Sequence, residues 1–131
     1  MKKKMMTIKE ICRQYNIINY TINPDGSIDV DGDVYLAYNR LTKLPLKFNI
    51  VSGNFSIHCN KLTSLDGCPN HVGGLFYCDN NELTYLDGCP SYIGSHFYCY
   101  GNPLPQEVID NPMAEIKRLN RKKKIDILLN Q

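Results

Sequence analysis

No apolar run in the chain approaches the length that spans a bilayer, so the sequence does not place the protein in a membrane as a helix. The start, Met1-Lys-Lys-Lys-Met-Met6, is basic, but a polar Thr7-Ile-Lys-Glu10 follows it and no apolar signal-peptide centre appears. The expected location is therefore the cytoplasm. Charge is scarce in net terms. At +2 the chain makes no demand for a polyanionic partner. Chemistry-bearing patterns are missing too. There is no phosphate-binding glycine loop, no paired carboxylates in a defined pocket, and no C-x-x-C or C-x-x-H ligand pair. Of the three histidines, His58 has Cys59 beside it in sequence, and adjacent strand side chains point apart. A Cys–His nucleophile pair needs hydrogen-bond reach, so this pair does not supply one. The reading is non-enzymatic, with no cofactor and no metal.

What the sequence has in abundance is repetition. Val34-Tyr-Leu36-Ala-Tyr-Asn39-Arg-Leu41 is followed 21 residues later by Phe55-Ser-Ile57-His-Cys-Asn60-Lys-Leu62. Phe76-Tyr-Cys78-Asp-Asn-Asn81-Glu-Leu83 and Phe97-Tyr-Cys99-Tyr-Gly-Asn102-Pro-Leu104 keep the same offset. Leu44, Leu65 and Leu86 are in register, as are Val30, Val51, Val72 and Ile93. Residues two apart share one face of a strand, so Phe76 and Cys78 enter a core while Tyr77 faces out. An asparagine at the strand end can donate and accept towards neighbouring turns and so satisfy loop backbone groups. One turn cannot bury its own apolar side, whereas several stacked turns can. The expectation is an α/β fold: a short solenoid of leucine-rich repeat type with a parallel β-sheet on its concave face.

Domain organisation follows from where the repeat stops. One domain covers 1–131: an N-terminal cap over 1–33, four repeat units over 34–104 and a C-terminal helical cap over 105–131. Thr7 to Tyr15 reads as an amphipathic helix with a Thr7/Glu10 capping box. Pro24-Asp25-Gly26 reads as the turn of a hairpin that protects the first repeat strand. Asp29, Asp31 and Asp33 alternate and so share a solvent face; the glycine spacing does not fit an EF-hand loop. Gln106 to Asp110 forms one helical turn, and a helix over Met113 to Leu129 covers the last repeat, with Met113, Ile116, Leu119, Ile125, Leu128 and Leu129 as its apolar stripe.

Six cysteines are many for this length, yet the repeat explains their spacing. Cys78 and Cys99 fill the column of Leu36 and Ile57, and Cys68 and Cys89 fill another. They read as buried free thiols behaving as small hydrophobes. Cys59 shares a column with Tyr38, Asn80 and Gly101 and is expected to be partly exposed.

The outward positions of the repeat strands carry the candidate site. One column is Tyr35, Ser56, Tyr77, Tyr98; the next is Ala37, His58, Asp79, Tyr100; the one before is Asp33, Asn54, Leu75, His96. Tyrosine suits strands in any case. It also gives large contact area at low entropic cost, and it concentrates in the third and fourth repeats. Tyr35, His58, Leu75, Tyr77, Asp79, His96, Tyr98 and Tyr100 are therefore the expected protein-binding face. A second candidate is the basic run Arg118, Arg121, Lys122, Lys123 and Lys124, which offers phosphate contacts for nucleic acid. No aromatic residue is interleaved with it, and a basic helix end also complements the helix dipole. Stacking of solenoids into a homo-oligomer is a third possibility.

Asn39-Arg-Leu41-Thr-Lys-Leu44-Pro45 resembles the unit of the short leucine-rich repeats of bacterial secreted effectors. Asn60-Lys-Leu62-Thr-Ser-Leu65-Asp-Gly-Cys68-Pro69 resembles it with changes. The unit here is one residue longer than the commonest effector repeat, and the catalytic ubiquitin-ligase domain of some effectors has no counterpart. The Gly-Cys-Pro style is also similar to small repeat proteins encoded by bacteriophages. That resemblance is to sequence style and implies no known activity; were the source a phage, a host or defence complex would be the expected target.

Overall fold

The computed structural model describes residues 5–131; the basic start at 1–4 lies outside them. Thr7 opens helix α1 (Ile8–Gln14) with the expected capping box: its hydroxyl accepts from the Glu10 N–H, and the Glu10 carboxylate accepts from the Thr7 N–H. α1 buries Cys12 and packs Ile8, Ile11 and Tyr15 against the core. Strands β1 (Tyr20–Ile22) and β2 (Ile28–Val30) form the antiparallel hairpin.

From there the chain winds as a parallel β-solenoid of about three turns. Each repeat contributes two short strands, and the solenoid has two sheets. The repeat motifs form β3 (Val34–Tyr35), β5 (Phe55–Ser56), β7 (Phe76–Tyr77) and β9 (Phe97–Tyr98), a four-stranded parallel sheet. Between them run β4 (Phe48–Val51), β6 (His71–Val72) and β8 (Tyr92–Ile93), which extend the hairpin into a second, five-stranded sheet ordered β1-β2-β4-β6-β8. The in-register Val30, Val51, Val72 and Ile93 are the inward residues of this second sheet. Register across both sheets keeps the repeat offset: Phe55 faces Phe76, and Val51 faces Val72.

The hairpin position corrects the sequence expectation. β2 pairs with β4, so the hairpin caps the five-stranded sheet and leaves β3 at an edge of the other one. The three aspartates explain the docking. Asp29 accepts from Asn49 Nδ2 (3.0 Å) and the Ile50 N–H (3.1 Å), Asp31 from Ser52 Oγ (2.9 Å), and Asp33 from the Asn54 N–H (2.7 Å). Each tethers the cap to the first full turn, so their alternation has a structural purpose beyond solvation.

The core lies between the two sheets. Phe48, Phe55, Phe76 and Phe97 stack through it with successive ring centroids 5.0, 6.0 and 5.0 Å apart. Leu62, Leu65, Leu83 and Leu86 close it on the return path. The asparagines form the expected ladder. Asn60 Oδ1 accepts from the Asn39 and Leu41 N–H groups of the preceding turn (2.9 and 3.0 Å), while its Nδ2 donates to the Leu36 and Ile57 carbonyls (both 3.0 Å). Asn81 and Asn102 repeat the pattern. One side chain thus satisfies both donors and acceptors of a turn that has no sheet partner there.

At the C-terminal end, α2 (Gln106–Asp110) and α3 (Pro112–Leu129) follow, with Asn111 capping α3. Ile116 and Leu119 of α3 are buried over the last turn. The rest of the expected stripe is not: Met113 is exposed, Ile125 is 55% exposed and Leu129 is 77% exposed. At 3.6 residues per turn, Ile125 and Leu128 fall on the side of the helix opposite Ile116 and Leu119, and Leu129 falls to the flank. The cap is therefore the first half of α3 alone. Among the described residues no helix is long and apolar enough to cross a membrane.

Candidate functional site

The outer face of the four-stranded sheet gathers most of the residues singled out from the sequence. Because β3, β5, β7 and β9 pair in register, side chains that are 21 residues apart become lateral neighbours. Tyr77 and Tyr98 stack face to face, 5.0 Å between centroids and 10° between planes. His58 lies at the centre of a second group. Tyr35, Tyr38 and Tyr77 meet its ring edge-on at 5.9, 5.5 and 5.5 Å. His96 sits 6.1 Å from Tyr98 at the margin. The rings form one continuous aromatic surface of the kind that anchors interfaces.

Asp79 lies in the same column as His58, one strand along. It is only 4% exposed. Its Oδ2 accepts from Asn80 Nδ2 (3.1 Å), but among the described residues its buried Oδ1 meets no donor and the buried Nδ1 of His58 has no hydrogen-bond partner. The Asp79 charge, with burial and a side-chain hydrogen bond to Asp79, pushes the Tyr100 phenol above its ordinary range, and the Cys59 thiol, through a side-chain hydrogen bond, does the same to Tyr38. Leu75 is half-buried at the side, where its N–H donates to Asn54 Oδ1 (2.8 Å). Ala37 is buried and Asp33 is engaged with Asn54, so these two members of the columns belong to the framework.

Tyr38 belongs to this surface and the two-residue alternation of a strand did not point to it. The chain turns left-handed after each repeat strand: φ is +61° at Tyr38, +56° at Cys59, +56° at Asn80 and +72° at Gly101. That turn swings the Tyr38 ring back over His58. The signal was present in the sequence as the shared column ending in Asn80 and Gly101, residues that tolerate this backbone region. The five-stranded sheet carries a smaller outward row, Ile50, His71 and Tyr92, aligned by the same offset, with His71 and Tyr92 stacked at 4.5 Å.

The basic residues lie elsewhere. Arg118, Arg121, Lys122, Lys123 and Lys124 are all exposed on α3, far along the chain from the aromatic face. Arg118 pairs with Glu115. Four consecutive basic residues at 121–124 surround the helix rather than lining one side of it. Lys122 and Lys123 border a cleft with Asp87, Asp126 and Leu119, where acidic groups dilute the positive field.

All six cysteines are free, and all but Cys59 are buried. Burial pushes Cys89 up to about 12 and Cys99 to about 11, and raises Cys68 and Cys78 well above the ordinary value. Such thiols stay protonated at neutral pH and are neither nucleophiles nor ligands. No protein family, no curated protein and no solved structure matches this chain.

Proposed function

We propose that the protein is a small leucine-rich-repeat-type interaction module that works in the cytoplasm by binding another protein through its tyrosine-rich sheet face, so as to block or recruit it. The observation that supports the reading is the continuous surface of Tyr35, Tyr38, His58, Tyr77 and Tyr98 rings held on a stacked, hydrogen-bonded scaffold. A scaffold fixed by sheet pairing and the asparagine ladder loses little freedom on binding, so the contact energy of the rings is not spent on ordering the surface. The resemblance to effector and bacteriophage repeats suggests a host or defence protein as the target.

The test is affinity capture from the lysate of the source cell, with and without nuclease, using the protein and its Tyr77→Glu/Tyr98→Glu variant. A partner retained after nuclease and lost with the variant, at unchanged circular dichroism, is the expected result. Capture by the variant equal to that by the parent protein removes this reading.

A second reading, nucleic-acid binding by α3, draws on Arg121 and Lys122 to Lys124, which form no ion pair among the described residues. It requires steep salt dependence and weakening on replacement of Lys122, Lys123 and Lys124 by Gln. Capture that vanishes with nuclease would favour it.

A further inference from the structure

Among the described residues, the buried carboxylate on the aromatic face has no counter-charge. Asp79 is 4% exposed, and aspartate is rarely buried to that degree without a paired partner. Among the described residues the ion pairs are Lys47–Asp25 and Arg118–Glu115, so no lysine or arginine neutralises Asp79. Oδ1 has no hydrogen-bond donor, and His58 Nδ1 in the adjoining strand position does not supply one. A charge in this setting is weakly screened, and its field extends through the thin layer of side chains above it.

That layer is aromatic. Tyr100 on the adjoining turn is more than half exposed, and Tyr77 precedes Asp79 by two residues on the same face. Ring faces carry the negative side of the aromatic quadrupole and attract cations. Buried carboxylate and exposed rings therefore act in the same sense: both make this patch attractive to positive charge and repellent to anions. The Tyr100 phenol is shifted upward, chiefly by the Asp79 charge and also by burial and a side-chain hydrogen bond to Asp79, in agreement with that sign; a neutral phenol leaves the charge uncompensated.

We propose that this face receives a cationic side chain of the partner, an arginine guanidinium or lysine ammonium seated on the Tyr77 and Tyr100 rings above the Asp79 carboxylate. The inference rests on the reading of this sheet face as a protein-binding surface, and adds the chemistry of the residue it selects. The cation supplies the counter-charge that Asp79 lacks, and the rings replace part of its hydration.

The experiment is an NMR amide titration with three probes: Nα-acetyl-arginine amide, Nα-acetyl-lysine amide and the uncharged Nα-acetyl-norleucine amide. The expected result is saturable shifts at Tyr77, Asp79 and Tyr100 with a charged probe and none with norleucine. Asp79→Asn, which keeps the shape and removes the charge, should weaken the charged probe by about tenfold. Asp87→Asn removes the same charge at an exposed site by α3 and should leave the affinity unchanged. Tyr100→Leu, on the exposed rim, gives a second route should Asp79→Asn disturb folding; it should weaken the charged probe severalfold. Equal binding of norleucine, no saturable shift with either charged probe, or full affinity in Asp79→Asn or Tyr100→Leu overturns the proposal. If it is overturned while Tyr77→Glu/Tyr98→Glu still abolishes partner capture, the interaction surface stands and only the cation is removed.

Discussion

The two sheets are built from the same repeat, by the same offset, around the same phenylalanine stack, yet their outer faces differ. The four-stranded face presents Tyr35, Tyr77, Tyr98 and Tyr100 around His58 and a buried, half-satisfied Asp79. The five-stranded face presents Ile50, His71 and Tyr92, with Asp29 at its start accepting through Oδ1 from Asn23, Asn49 and the Ile50 N–H. Polar groups on the second face serve the framework. On the first, one carboxylate oxygen and one imidazole nitrogen are left over. Unused hydrogen-bonding capacity under an aromatic surface is what separates a candidate site from ordinary sheet exterior.

The comparison breaks most sharply by matched pairs of substitutions. Tyr77→Glu/Tyr98→Glu should weaken partner capture by roughly a hundredfold or more, as expected for paired aromatic anchors. His71→Glu/Tyr92→Glu, the same change on the other sheet, should leave it intact; a pull-down with both variants decides. Equal losses would mean that the two faces are functionally alike.

Stability gives the next contrast. Phe76→Ala opens a cavity shared by both sheets and should cost about 3–5 kcal/mol, measured by denaturant unfolding. Gly73→Ala acts on the five-stranded side alone: an added Cβ would lie 2.2 Å from the Ser52 carbonyl oxygen. It should cost roughly 1–3 kcal/mol, because the clash is with backbone.

Titration probes the core beneath the faces. Burial raises Cys89 and Cys99 from 9.0 to about 12 and about 11. These thiols are neutral when folded, so their contribution is complete below pH 9 and is lost as pH rises through the folded values. Unfolding midpoints should fall above pH 9, and Cys99→Val should flatten that fall. In native protein at neutral pH a thiol reagent should modify Cys59 first and the buried five only on unfolding.

The smallest effect belongs to the hairpin. The Ser27 hydroxyl and N–H, with Lys47, lower the exposed Asp25 carboxyl from 3.8 to about 2. A depressed carboxyl contributes above its unfolded value and loses that contribution as pH falls towards 2. Asp25→Asn should remove a small stabilisation at neutral pH and none below pH 2, read from acid unfolding.

Much of this protein was determined by its sequence alone. The 21-residue offset specifies stacked turns, because identical apolar columns can be buried only against copies of themselves. From that follow the asparagine ladder, the buried thiols, the capping box at Thr7 and the outward tyrosine columns. Tertiary structure decided the rest. Two-residue strands such as His71–Val72 are too short to announce themselves by alternation, so the second sheet appeared only through its pairing. The hairpin joined that sheet because the aspartates had partners there. Ile125, Leu128 and Leu129 have the composition of a cap, but the buried stripe of α3 is fixed in phase by Ile116 and Leu119, and they fall outside it and stay exposed. Asp79 reads as one more surface acid until its neighbours are in place. Burial and the lack of a counter-charge are properties of the surroundings, and no residue carries them in its own identity.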